Sequence, residues 1–198
     1  MQYTDPERLH LASIAATYFG RPDTNNTQRP LTLIKNQHDS FLKSQFVRFE
    51  YESSIASYNH LATYTLATAC IPMELRACKT SRVLINNEYI LPQDMKNPEK
   101  VESDLIKNIT LYHNLTETES IETARYLMPQ GISTKYTISW SFLLLAKHFF
   151  PDRLWGEWIM AETKLLAQMM WDHLISQDKD LWESIKSTYK GDSHENSL

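Results

Sequence analysis

Arg125 and Arg153 stand towards the two ends of the stretch in this chain best suited to chemistry. Residues 123–158 read TARYLMPQGISTKYTISWSFLLLAKHFFPDRLWGEW. Arg125 lies at the end of a short helical pattern that Pro129 closes. An aromatic and aliphatic run follows, and Asp152 and Arg153 then open a long amphipathic helix. A guanidinium held between an apolar run and a helix start outlines an anion site, because its planar fork of donors suits phosphate or a carbonyl. The competing reading of Arg125 is an arginine at a helix C-terminus, held by the dipole. For His148 and Arg153 it is a surface pair near a helix start.

Other chemistry-bearing residues take plainer readings. Cys70 and Cys78 lack a metal-ligand spacing and read as reduced thiols, core or half-buried. His173 reads as a surface residue. Trp155, Trp158 and Trp171 sit on one predicted helix, which favours core or subunit packing over a cofactor box. Four glycines in 198 residues leave little room for a phosphate-binding glycine loop.

The elements that position these residues follow from periodicity. Residues 9–19 are apolar at helical spacing, and 31–36 form a short second helix. His38-Asp39-Ser40 is a polar break. Residues 45–52 (QFVRFEYE) alternate, with Val47, Phe49 and Tyr51 on one face, and predict a half-buried strand. Residues 57–70 are rich in small side chains and read as helix or irregular turn. Short strands fall at 83–85 and 89–91. Residues 101–115 are an amphipathic helix built on Val101, Leu105, Ile109 and Tyr112. Residues 118–128 form another. The helix capped by Asp152 runs to about Ser176 with Leu154, Trp158, Ala161, Leu165 and Met169 as its stripe, and Asp180 caps a last helix to Tyr189. The tail 193–198 frays.

The totals bound the function. A chain of 198 residues forms one domain, 1–198, with a sizeable core. Its net charge of −4 and lack of a basic block disfavour general nucleic-acid binding. The N-terminus has no apolar leader core and no apolar run reaches membrane-span length, so the expectation is a cytoplasmic, soluble α+β protein.

With these residues in view the chain resembles the flavin-dependent thymidylate synthase family, ThyX. The family has an Ala-Arg-x-x-x-Pro segment, an aromatic run and a helix with a Gln-Trp pair. Here these are Ala124-Arg125, Pro129, residues 136–140 and Glu157-Trp158. Residues 181–192 resemble the family's closing helix. Upstream, His38 and Ser40 resemble its early flavin segment, Phe46-Val47 its Phe-Val lead, and residues 55–59 (IASYN) the middle of the signature R-H-R-x-x-S-x-N-x-x-S-x-R. In that register Ser57 and Asn59 match, the basic triplet falls on Glu52-Ser53-Ser54, and the last Ser and Arg fall on Ala62 and Tyr64. Counting without a gap from His38 puts the triplet on Thr63-Tyr64-Thr65 instead, with Arg76 near the final arginine; either register loses the triplet.

The resemblance implies a ThyX-like fold, with helices packed on a small antiparallel sheet and a long helix in the C-terminal half. It implies transfer of a one-carbon unit from methylenetetrahydrofolate to C5 of dUMP or a related pyrimidine nucleotide, with FAD as hydride donor and NADPH recharging it. It also implies a homotetramer with sites between subunits. By match, Arg125 and Arg153 contact the nucleotide, Arg153 acts on the pyrimidine ring, and Asn59, His148, His38 and Ser40 contact flavin. No protein cysteine attacks the base, so the chemistry belongs largely to the cofactor. Arg48, Lys79 and Arg82 are candidate replacements for the triplet, and Arg76 a candidate phosphate ligand. The rival expectation is a non-catalytic ThyX-like subunit that keeps fold and assembly. A helical interaction domain unrelated to ThyX is the third.

Overall fold

Alternation in the first strand sets the sheet. In the computed structural model, which describes residues 7–18, 20, 25–64, 70–72, 86 and 88–190, strand β1 spans Phe46–Ser54. Val47, Phe49 and Tyr51 are buried and the residues between them face out, as a period of two demands. Residues 70–72 form a short β2, Cys70–Pro72, and the aromatic run 133–141 is the central strand β3, Ser133–Ser141. The sheet order is β1-β3-β2, antiparallel throughout, with Phe46 opposite Ser141 and Ser54 opposite Ser133. Tyr51 lies opposite Tyr136, and their rings stack with centroids 5.0 Å apart. The Trp140 indole N–H donates to the Tyr51 hydroxyl at 2.7 Å, and that hydroxyl donates to Met170 Sδ at 3.2 Å.

Helices cover the buried face. α1 is Glu7–Tyr18, α2 Gln28–Lys35, α3 Ile55–Ala62 and α4 Pro98–Thr118. A short α5, Ile121–Ala124, continues as the 3-10 turn Arg125–Leu127. α6 begins at Phe142–Leu144 and widens into two π-turns, Leu145–Phe149 and Pro151–Trp155. α7 is Ala161–Gln177 and α8 Lys179–Tyr189. The main core gathers Trp140, Phe142, Phe149, Phe150, Trp171 and Trp182 with aliphatics from α1, α2 and α8. A smaller core joins Ile55 of α3 to Ile109 and Tyr112 of α4, Ala124 and Ile132. The α+β architecture expected from the sequence is the one observed.

Several boundaries differ. The long helix starts at Ala161 and not at Asp152, because the chain breaks at 156–160, where Gly156 is extended and Trp158 is left-handed. Trp158 sits in that break with φ 56° and full exposure. The predicted stripe is therefore out of phase: Leu165 and Met169 are 41% and 61% exposed, and α7 buries Thr163, Ala167, Met170, Trp171 and Leu174 instead. α4 extends through Thr118, and the next helix is capped afresh by Ser120, whose hydroxyl accepts from Thr123 N at 3.1 Å. Asp178 caps α8 in place of Asp180. Residues 83–85, Cys78, Arg76, Lys79 and Arg82 lie outside the described residues, and Tyr89 contributes one antiparallel bridge to Ile132. No helix among the described residues is long and apolar enough to cross a membrane.

Candidate functional site

π-turns are rare and often sit at functional positions. Here they hold two of the residues the sequence singles out. Phe149 and Phe150 are fully buried, so the turn puts Lys147 and His148 on the outside and Arg153 half in. The Arg153 guanidinium carbon lies 5.4 Å from the Tyr64 ring centroid, and the buried Arg153 Nε has no hydrogen-bond partner among the described residues. The Tyr64 hydroxyl donates to the Asp152 carboxylate at 3.0 Å. Burial first, and the Asp152 charge second, push the Tyr64 hydroxyl pKa well above its ordinary value.

Arg125 occupies the exposed 3-10 turn after α5. It is near enough to Tyr112 to oppose the rise that burial causes in that hydroxyl's pKa. The loop beyond it docks on α3. Ile55 N and Ala56 N donate to the carbonyls of Ile132 and Gln130 at 3.0 and 3.1 Å, and the Asn59 amide donates to Gln130 Oε1 at 3.1 Å. α3 therefore connects both arginines: Asn59 meets the loop after Arg125, and Tyr64, just past the helix, meets Arg153. Among the described residues no carboxylate pairs with either arginine, whereas Lys135 and Lys147 are paired with Glu52 and Asp39 at 3.4 and 2.9 Å.

His38 and Ser40 belong to a second cluster. α2 ends with Gln37 in the left-handed region (φ 56°), and His38 N reaches back to Leu33 O at 2.8 Å, a Schellman-type stop. Asp39 between them is buried and accepts from the Tyr189 hydroxyl and from Lys147 Nζ. That ties residues 38–40 to the π-turn that bears His148. Sequence patterning does not reveal the contacts of Asp39, Tyr64 and Glu162, because their partners lie far along the chain.

The positions matched to the basic triplet face other tasks. Glu52 pairs with Lys135, Ser53 is fully buried with its hydroxyl 2.7 Å from the Tyr136 hydroxyl, and Ser54 donates to Glu162 of α7 from both N (2.7 Å) and Oγ. Ser54 also caps α3 by accepting from Ser57 N at 3.1 Å. Arg48, a candidate replacement, is exposed on the outer face of β1 opposite Ser139.

The family model described as thymidylate synthase complementing protein matches residues 1–178. The chain belongs to this family. Its fold matches those of solved ThyX-type structures. A UMP/dUMP methylase, PolB from Streptomyces cacaoi bound with 5-Br dUMP, aligns with TM-score 0.72 at 13% identity, over 92% of this chain and 91% of that one. ThyX from Helicobacter pylori complexed with FAD and dUMP aligns with TM-score 0.72 at 19% identity, over 90% and 95%. No curated protein sequence matches at a significant level.

For this ThyX-family chain the fit to FAD rests on its own side chains. Asn59 and His148 are exposed, and Ser40 is partly so, which leaves them reachable by a group bound at the surface. Glu52, Ser53 and Ser54 supply no cation and are committed internally. The triplet positions contribute nothing to such a group. Among the described residues no cluster of three or more His, Cys, Asp or Glu is arranged to hold a metal.

Proposed function

We propose that this chain binds a pyrimidine nucleoside monophosphate, dUMP by default, and takes part in ThyX-type methylation at C5. The observation that carries this reading is the pair of guanidiniums, Arg125 and Arg153, which flank α3 and have no carboxylate partner among the described residues. Arg125 supplies a charged fork for phosphate or a uracil carbonyl. Arg153 would hydrogen-bond the pyrimidine and stabilise the negative charge that develops on the ring as C5 becomes nucleophilic. Asn59, His148, His38 and Ser40 are the residues that would hold FAD. The chemistry FAD supplies when bound is a hydride, with methylenetetrahydrofolate as carbon source and NADPH as reductant. The family's homotetrameric assembly accounts for a site whose parts lie on two clusters of one chain, and the cytoplasm is the expected compartment.

A second reading has a specific observation behind it. Glu52, Ser53 and Ser54 give up two or three charge-assisted bonds of roughly 1.5–3 kcal/mol each. A non-catalytic subunit that keeps the nucleotide arginines while losing flavin fits that loss. The test is the visible spectrum of the purified protein with excess FAD, beside calorimetric titration with dUMP and UMP. A bound-flavin spectrum with nucleotide binding supports the enzyme. Nucleotide binding without flavin supports the subunit. Failure to bind either overturns both.

A further inference from the structure

We propose that Tyr64 is a positioning residue for Arg153: its ring sets the plane of the guanidinium, and its hydroxyl keeps Asp152 from neutralising it. The inference rests on the reading of Arg153 as a nucleotide ligand.

An arginine on a flexible stem loses rotamer entropy when fixed. A site that uses one gains by holding it beforehand. Tyr64 is itself held on several sides. Its ring meets Phe149 edge-on with centroids 5.5 Å apart and Trp140 at 5.9 Å, and both of those rings are fully buried. Its N–H donates to Leu61 O at 3.2 Å, and its hydroxyl donates to Asp152 at 3.0 Å. The guanidinium then lies over an anchored aromatic surface, with its carbon 5.4 Å from the centroid.

Asp152 is the residue next to Arg153 in sequence and carries a charge of the sign that would neutralise it. Its Oδ2 is occupied by the Tyr64 hydroxyl, and no ion pair joins it to Arg153. The Tyr64 hydroxyl is a neutral donor and adds no negative charge of its own, and burial and Asp152 both reinforce its protonated form. Among the described residues the buried Arg153 Nε has no partner, an arrangement that costs free energy unless a ligand or water supplies one. In the register set by residues 55–59, Tyr64 stands where the family signature ends in arginine. The cation reaching this place comes from the π-turn instead, and position 64 provides the wall against which it lies.

The test combines Y64F, Y64L and D152N with two readouts: the ¹⁵N-resolved Nε–H resonance of Arg153 without ligand, and dUMP affinity by calorimetry. Y64L is expected to shift that resonance, speed its exchange with water and weaken dUMP about tenfold. Y64F keeps the ring and frees Asp152 to pair with Arg153; it is expected to weaken dUMP several-fold, and D152N in the Y64F background to restore it. If Y64L does not fold, the Y64F and Y64F/D152N pair decides alone. An unchanged Arg153 resonance in Y64L, or a D152N that fails to restore Y64F, overturns the proposal. If the wild-type chain binds no dUMP, the nucleotide reading fails, and the Arg153 resonance in Y64F and Y64L still decides whether Tyr64 positions it.

Discussion

Ser54 gives both its N–H, at 2.7 Å, and its hydroxyl to the Glu162 carboxylate. One residue thus ends β1, caps α3 and receives the first turn of α7. S54A removes the cap and one bond to a carboxylate. The expected loss is about 2 kcal/mol in urea unfolding. Nucleotide affinity should not change, since Ser54 faces α7. A loss of dUMP binding with stability intact would instead put Ser54 in the ligand site.

Asp39 is a buried carboxylate held by Tyr189 and Lys147. Y189F removes one hydrogen bond to a charged group and should cost about 1.5–3 kcal/mol. K147A leaves the carboxylate without its cation. Because the Lys147 side chain is 37% exposed, the cost should fall below the roughly 3 kcal/mol typical of fully buried pairs. Chemical unfolding of Y189F, K147A and the double variant should show non-additivity.

Gly156 admits no side chain without movement. A Cβ there would lie 3.0 Å from Asp152 O and 3.1 Å from Pro151 O, both backbone atoms of the turn that presents Arg153. G156A should cost about 1–3 kcal/mol, as other overpacked sites do. It should also weaken dUMP more than an equally destabilising change in α1. Thermal melts and nucleotide titrations on the same samples check both.

Tyr64 predicts the alkaline limb of stability. Its folded pKa is raised, so its contribution is complete below the ordinary tyrosine value of about 10. Above that value the unfolded chain loses the proton while the folded chain keeps it, and stability falls as pH rises. Y64F should be less stable at neutral pH and flatter between about pH 10 and 11. Urea midpoints across that range measure the slope.

Much of the fold was legible because its signals are local. Alternation at 45–52 found β1, and three- and four-residue steps found α4. The phase of α7 was lost because one helix was carried through Gly156, and a 3.6-residue stripe counted from Leu154 drifts off the true buried face once the chain turns left-handed at Trp158. The glycine was the visible signal. Among the candidate residues, Arg125 at a helix end before Pro129 was readable from residue type, while Arg153, expected at the start of a long helix, lies in a π-turn. The contacts that orient them were not readable, since Tyr64 and Asp152, Ser54 and Glu162, and Asp39 and Tyr189 are each more than eighty residues apart. No periodicity reports a pairing of that span.

The exposed Trp158 makes the chain its own optical probe. Of five tryptophans, Trp140, Trp171 and Trp182 are buried and Trp155 packs on Trp171 at 5.2 Å, while Trp158 is 100% exposed. Red-edge emission open to iodide quenching therefore reports on a single indole, five positions past Arg153. Any subunit or ligand that covers this turn will turn its colour blue and close it to the quencher, with no dye attached.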